Sequence, residues 1–188
     1  MNGKKIALLG FLVGMLVCVA NVLFQFLSLI LGGIHLPSLF STLLTLASLA
    51  AYALIALGFV MMGFSGSFVD LALGGVFGFL ALEKVLSAVF GIHLGESRSM
   101  AITWLCLLMY VLPFFLVALR TLRHQKLLAV LTGGFGLFYF LWLSVGANFL
   151  FRLFAARTVA AFVWNLLSGG IGFVGMALCF LCLKNADE

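Results

Sequence analysis

Charge is scarce in this sequence. Only 8% of its 188 residues are Asp, Glu, Lys or Arg, while 65% are hydrophobic. A soluble domain carries about 25% charged and about 45–50% apolar residues. Polar side chains are too few here to cover a folded surface in water, which excludes a soluble globular protein. Disorder is excluded by the same numbers, because disordered chains are rich in charge and poor in hydrophobes. An all-α polytopic integral membrane protein remains.

Other shortages narrow the chemistry. His35, His93 and His124 are the only histidines and fall in separate loops. Neither a metal site nor a two-histidine haem site is expected from them, and no cofactor is expected at all. Recognisable nucleophiles and paired carboxylates are also missing, which counts against an enzyme. The four cysteines, Cys18, Cys106, Cys179 and Cys182, all lie in apolar stretches and read as small buried hydrophobes, not as a disulfide framework. Cys179 and Cys182 have CxxC spacing but close a helix, where the dipole disfavours a thiolate. The few basic residues sit mostly between apolar runs, where membrane orientation explains them. Membrane lipids are therefore expected partners and nucleic acid is not.

Apolar runs are abundant. No charge occurs over residues 6–69, 99–119, 127–151 or 158–183. At about 20 residues per crossing, the first run holds two spans and the others one each. Gly32-Gly33-Ile34-His35-Leu36-Pro37-Ser38 divides the first. Residues 68–92 add another span, polar only at Asp70, Glu83, Lys84 and Ser87. The expectation is one transmembrane domain over 1–188, with spans at 6–31, 39–62, 68–92, 100–119, 127–150 and 159–183. Lys4 and Lys5 before an apolar run suggest a signal peptide, but the run continues through Leu31, so the first span is read as retained. Ser67 and Asp70 have the spacing of a capping box and should start the third span. Pro113 should kink the fourth.

Small residues recur as Gly10/Gly14/Cys18, Gly74/Gly78 and Gly169/Gly172/Gly175. Such stripes let helix backbones approach closely. Packing inside one bundle is the expected use. Docking of a protein partner, or of a second copy, through the first and sixth spans is the alternative.

Six spans put both termini on one side. That side holds Lys4, Lys5, Arg120, Arg123, Lys126 and Lys184, and the other holds Arg98, Arg152 and Arg157. The positive-inside rule then places both termini in the cytoplasm, with a bacterial inner membrane as the expected location. Polar residues divide along the same axis. The halves near the termini are almost wholly apolar, Thr132 being the main exception. The opposite halves carry Asn21, Gln25 and Ser28 on the first span and Ser41, Thr42, Thr45 and Ser48 on the second. Glu83, Lys84, Ser87 and Thr103 follow on the third and fourth, then Ser144, Asn148, Arg152, Asn165 and Ser168 on the last two. Polar groups in hydrocarbon are costly unless partnered, so they should face the bundle interior. Two readings follow: a polar cavity in the outer leaflet above an apolar plug, or ordinary hydrogen bonding within and between helices.

Glu83 is the most informative of these residues. At about 1.5 Å per residue it lies about 22 Å along a core of about 30 Å. A glutamate there needs a partner, and Arg152 or Gln25 is the expected one; the alternative is that the third helix ends near Leu82 and leaves Glu83 and Lys84 wet in the interface. The candidate solute-binding set is Asn21, Gln25, Glu83, Lys84, Asn148, Arg152 and Asn165.

Gly63-Phe64-Ser65-Gly66 resembles the GxSG signature of rhomboid intramembrane serine proteases over these four residues. In that family the serine starts a helix and a histidine lies on the second helix after it. Here Ser65 precedes the third span and the fifth contains no histidine, so a tight turn is the expected role. In size and span number the chain is similar to the substrate-binding S-components of energy-coupling-factor transporters. That likeness implies a ligand near the outer face and cytoplasmic partners. The function expected from the polar asymmetry is capture or passage of a small solute from the outer side. A non-catalytic subunit of a larger membrane complex comes second, and a lipid-handling enzyme third.

Overall fold

The computed structural model describes residues 2–30, 38–91, 100–153 and 157–185, with side chains other than those of 28–29, 38–39, 147–148, 151 and 157–158. Every element among them is helical: α1 Gly3–Ile30, α2 Ser38–Gly63, α3 Phe68–Phe90, α4 Met100–Thr121, α5 Lys126–Leu141, α6 Ala147–Leu153 and α7 Arg157–Lys184. A π-helical turn, Trp142–Gly146, joins α5 to α6. Six of the helices are long and apolar enough to cross a bilayer. Spanning helices are forced by the medium, since hydrocarbon offers no hydrogen bonds to an open backbone. Leu16, Leu57, Leu82, Leu108, Leu127 and Leu167 stand exposed, one on each of the six long helices. An apolar outer surface on every side suits lipid and would be untenable in water.

Local sequence sets the breaks. After α2 the chain turns through residues 64–66, with Gly66 at φ +111°, a conformation that a Cβ would strain. The Ser65 hydroxyl donates to the Met62 carbonyl in this turn. Ser67 then caps α3, its Oγ accepting from the Asp70 amide at 3.2 Å. The capping spacing read from the sequence is thus used, and the GxSG tetrapeptide is a turn. At its other end α3 stops on Gly91, which is left-handed at φ 64°. α4 runs unbroken through the buried Pro113.

Neighbours in sequence pack as neighbours in space: α1 on α2, α2 on α3, α3 on α4 and α4 on α5, while α7 returns to α1. The glycine stripes serve these seams. Gly10 lies against Ile55 and Ala51 of α2, Gly74 against Val60, and Gly169 and Gly172 against Val22 and Cys18 of α1. The chain's own helices fill the space these glycines leave.

The two termini share one end, the terminal face, where the Lys4 ammonium donates to the Lys184 carbonyl at 3.0 Å. The core lies in this half. Phe11, Phe59 and Phe77 form an aromatic trio, with Phe11 edge-on to both others at 6.2 and 5.8 Å and Phe59 stacked on Phe77 at 6.1 Å. Ile55, Leu73, Cys179, Cys182 and Leu183 complete it, all buried. Cys179 and Cys182 are free thiols. Thr132 is buried too, donating to the Leu128 carbonyl and touching the Cys182 sulfur at 3.2 Å.

Candidate functional site

Above this core, toward the distal face, the helices part around a cavity of about 580 Å³. α1 supplies Asn21 and Gln25, α2 supplies Ser41, Thr45 and Ser48, and α3 supplies Lys84 and Ser87. α7 supplies Asn165 and Ser168. Cys18, Tyr52, Tyr139 and Gly172 form its floor. Between Ser41 and Tyr52 the wall of α2 rises about 17 Å at about 1.5 Å per residue, over half of a hydrocarbon core.

The same four floor residues also line a second, smaller space of about 80 Å³ nearer the terminal face. Phe11, Phe77, Leu80, Phe114 and Met176 enclose it. Phe114 meets Tyr139 edge-on at 5.5 Å, and Tyr52 stacks on Phe77 at 6.2 Å. A polar cavity therefore ends on an aromatic floor that is only a few side chains thick.

Hydrogen bonding decides what the wall presents. Thr45 donates to the Ser41 carbonyl and Ser48 to the Leu44 carbonyl, at 3.0 and 2.8 Å. Their hydroxyl protons are spent on their own helix, so they offer only lone pairs to the cavity. Ser168 is the reverse case. Its oxygen accepts from the Trp142 indole at 3.1 Å, which leaves its own proton free to donate. Trp142 is held by stacking on Trp164 at 4.9 Å and 11°. Gly146 fits against both rings; a Cβ there would stand 2.9 Å from Trp142. The π turn thus places an indole donor beside α7.

Glu83 is buried, 7% exposed, behind the cavity wall. Its Oε2 receives the Tyr110 hydroxyl at 2.9 Å and lies 3.2 Å from the Lys84 ammonium. Lys84 also lies 6.0 Å from the centre of the Tyr110 ring. These contacts correct the sequence expectation. Among the described residues Glu83 is paired with its chain neighbour and a tyrosine, not with Arg152 or Gln25. Adjacent side chains leave a helix about 100° apart, but the long, flexible lysine stem bends its ammonium back to the carboxylate.

The candidate set divides accordingly. Asn21, Gln25, Lys84 and Asn165 come together on one cavity. Glu83 stands behind it as Lys84's counter-ion. Arg152 is exposed on α6 and is not among the residues that line this cavity. Arg152 was suggested as a partner by its depth, and depth does not fix the direction in which a side chain leaves its helix. The side chains of Asn148 and Ser28 lie outside the described residues, as do His35, His93 and Arg98. Sequence reasoning missed Tyr52, Tyr110 and Tyr139, whose rings count as apolar while their hydroxyls serve a polar site.

A second built feature lies at the terminal face. Arg120 Nε of α4 donates to Asp70 Oδ1 of α3 at 2.7 Å, with the two side chains 22% and 6% exposed. It clamps the start of α3 to the end of α4. No group of His, Cys, Asp and Glu that could hold a metal ion occurs among the described residues. No protein-family model, characterised protein or solved structure matches this chain.

Proposed function

We propose that this chain is a transport protein which captures or passes a small polar solute from the distal side of the membrane. One observation carries the reading: a cavity of about 580 Å³, lined by Asn21, Gln25, Asn165 and Lys84, set over a closed aromatic floor. Three amides and a cation inside an apolar bundle are costly to keep without a use. The volume suits a small ligand. Interhelical bonding alone would draw such groups together and leave no space between them. The basic residues of the terminal face, Lys4, Lys5, Arg120, Arg123, Lys126 and Lys184, favour orienting that face to the cytoplasm of a bacterial inner membrane. Solute would then enter from outside the cell.

Thiol labelling tests this. Single cysteines at Gln25 and Asn165 are placed in a background lacking the four native ones, with Phe77→Cys as the buried control. A membrane-impermeant maleimide added to intact cells should modify the first two and spare the third. Labelling confined to inverted vesicles would reverse the orientation. Protection of Gln25→Cys and Asn165→Cys from both sides would remove the cavity and the proposal with it.

A further inference from the structure

We propose that the cavity takes a small organic anion together with one proton, the anion pairing with Lys84 and the proton sitting on Glu83. The inference rests on the solute-capture reading above and names its substrate class and coupling ion.

The argument starts from charge. Glu83 and Lys84 form a pair 3.2 Å apart whose net charge is zero. Asp70, at the terminal face, is the other carboxylate among the described residues. A neutral pair is the state a low-dielectric interior tolerates; an unbalanced ion is strongly disfavoured there. An anion drawn to Lys84 would leave the site with one excess negative charge. Uptake of a proton by the Glu83 carboxylate cancels it. The proton comes from the aqueous side with the anion, one for one, and no bond other than O–H is made. Neutralised, Glu83 releases Lys84 from its ion pair and keeps the hydrogen bond from Tyr110.

Position supports the same reading. Lys84 lines the upper cavity and Tyr110 lines the small space beneath it, so the Glu83 carboxylate bridges the two. The other titratable groups facing it or the two spaces are Cys18 on α1, Tyr52 on α2, Cys106 on α4, Tyr139 on α5 and Cys179 on α7. All are phenols or thiols, which hold their protons across the neutral range. Glu83 is left as the proton acceptor. The remaining wall describes the rest of the solute. Thr45 and Ser48 offer lone pairs, and so call for hydroxyl or N–H donors on the ligand. Ser168 and the amides offer donors beside Lys84. A hydroxy acid has both features.

The experiment titrates purified full-length protein in detergent with lactate, glycerate and gluconate, and with lactamide and glycerol as neutral counterparts. Binding is read by tryptophan fluorescence between pH 5 and 8. Proton uptake is read separately in weak buffer. The carboxylates should bind at least tenfold more tightly than the neutral compounds, with about one proton taken up per anion. Affinity should fall about tenfold per pH unit across this range, as linkage to one proton taken up per anion requires. Glu83→Gln should bind the anions with no proton uptake and no pH dependence. Lys84→Gln should lose anion binding. Anion binding without proton uptake by the wild-type protein overturns the proposal, and so does pH dependence that survives Glu83→Gln. Binding of the neutral compounds alone overturns the anion and proton but leaves the cavity reading standing. Binding of neither class overturns both.

Discussion

The seam between α1 and α2 yields the sharpest stability test. A Cβ built at Gly58 would lie 2.5 Å from the Ala7 backbone nitrogen and 2.7 Å from the Gly3 carbonyl oxygen. Both are main-chain atoms, so neither can swing aside. Restoring a contact of about 3.5 Å requires the helices to part by about 1 Å, and a gap of that size forfeits a quarter to a half of each dispersion contact across it. The edge-on pair Phe11–Phe59 sits on this seam. Overpacking costs about 1–3 kcal/mol, and two backbone clashes put Gly58→Ala at the upper end. Replacing glycine in a helix returns about 1 kcal/mol, so the net loss should be about 2 kcal/mol. Gly78 is the control. Nothing lies within 4 Å of its added Cβ, so Gly78→Ala should gain up to about 1 kcal/mol. Both variants would be titrated with dodecyl sulfate in mixed micelles, with helicity followed by circular dichroism. Gly58→Ala matching or exceeding Gly78→Ala in stability would refute the close approach of α1 and α2.

Three further outcomes are expected. Asp70→Asn should cost about 2 kcal/mol, below the ~3–5 kcal/mol of a fully buried broken pair because Arg120 is partly exposed; a double-mutant cycle with Arg120→Gln should recover part of the loss. Ser67→Ala should cost about 1 kcal/mol, read in the same micelle titration, by removing the cap of α3. Trp142→Phe keeps a ring against Trp164 but deletes the donor to Ser168, and should cost about 1 kcal/mol with a changed Trp164 emission spectrum.

The six-span architecture was legible because a bilayer makes one demand that composition answers directly: long runs without charge. The break at Ser67 was legible for a local reason, since a cap needs only a hydroxyl three residues before the amide it serves. The polar asymmetry located the cavity wall on α1, α2 and α7. Pairings remote in sequence were not legible. Asp70 and Arg120 stand 50 residues apart, and Glu83 and Tyr110 stand 27 apart. Nothing in the local pattern of either pair names its partner. Arg152 shows a subtler failure. It was matched to Glu83 by depth, and depth along one helix says nothing about which neighbour a side chain on that helix faces. The tyrosines were missed because hydropathy credits a ring and ignores its oxygen.

The order in which the helices pack has a consequence for biogenesis. Residues of α1, α2 and α3 can assemble side by side as they leave the ribosome, since each touches its predecessor. The cavity cannot. Asn165, Ser168, Gly169 and Gly172 belong to α7, which packs back on α1 only after everything between them has been made. Until then Asn21 and Gln25 face an unfinished wall. The nascent chain must hold two amides in the bilayer through the synthesis of more than a hundred further residues. Arrival of the last helix is therefore the event that both completes the cavity wall and covers the amides of Asn21 and Gln25.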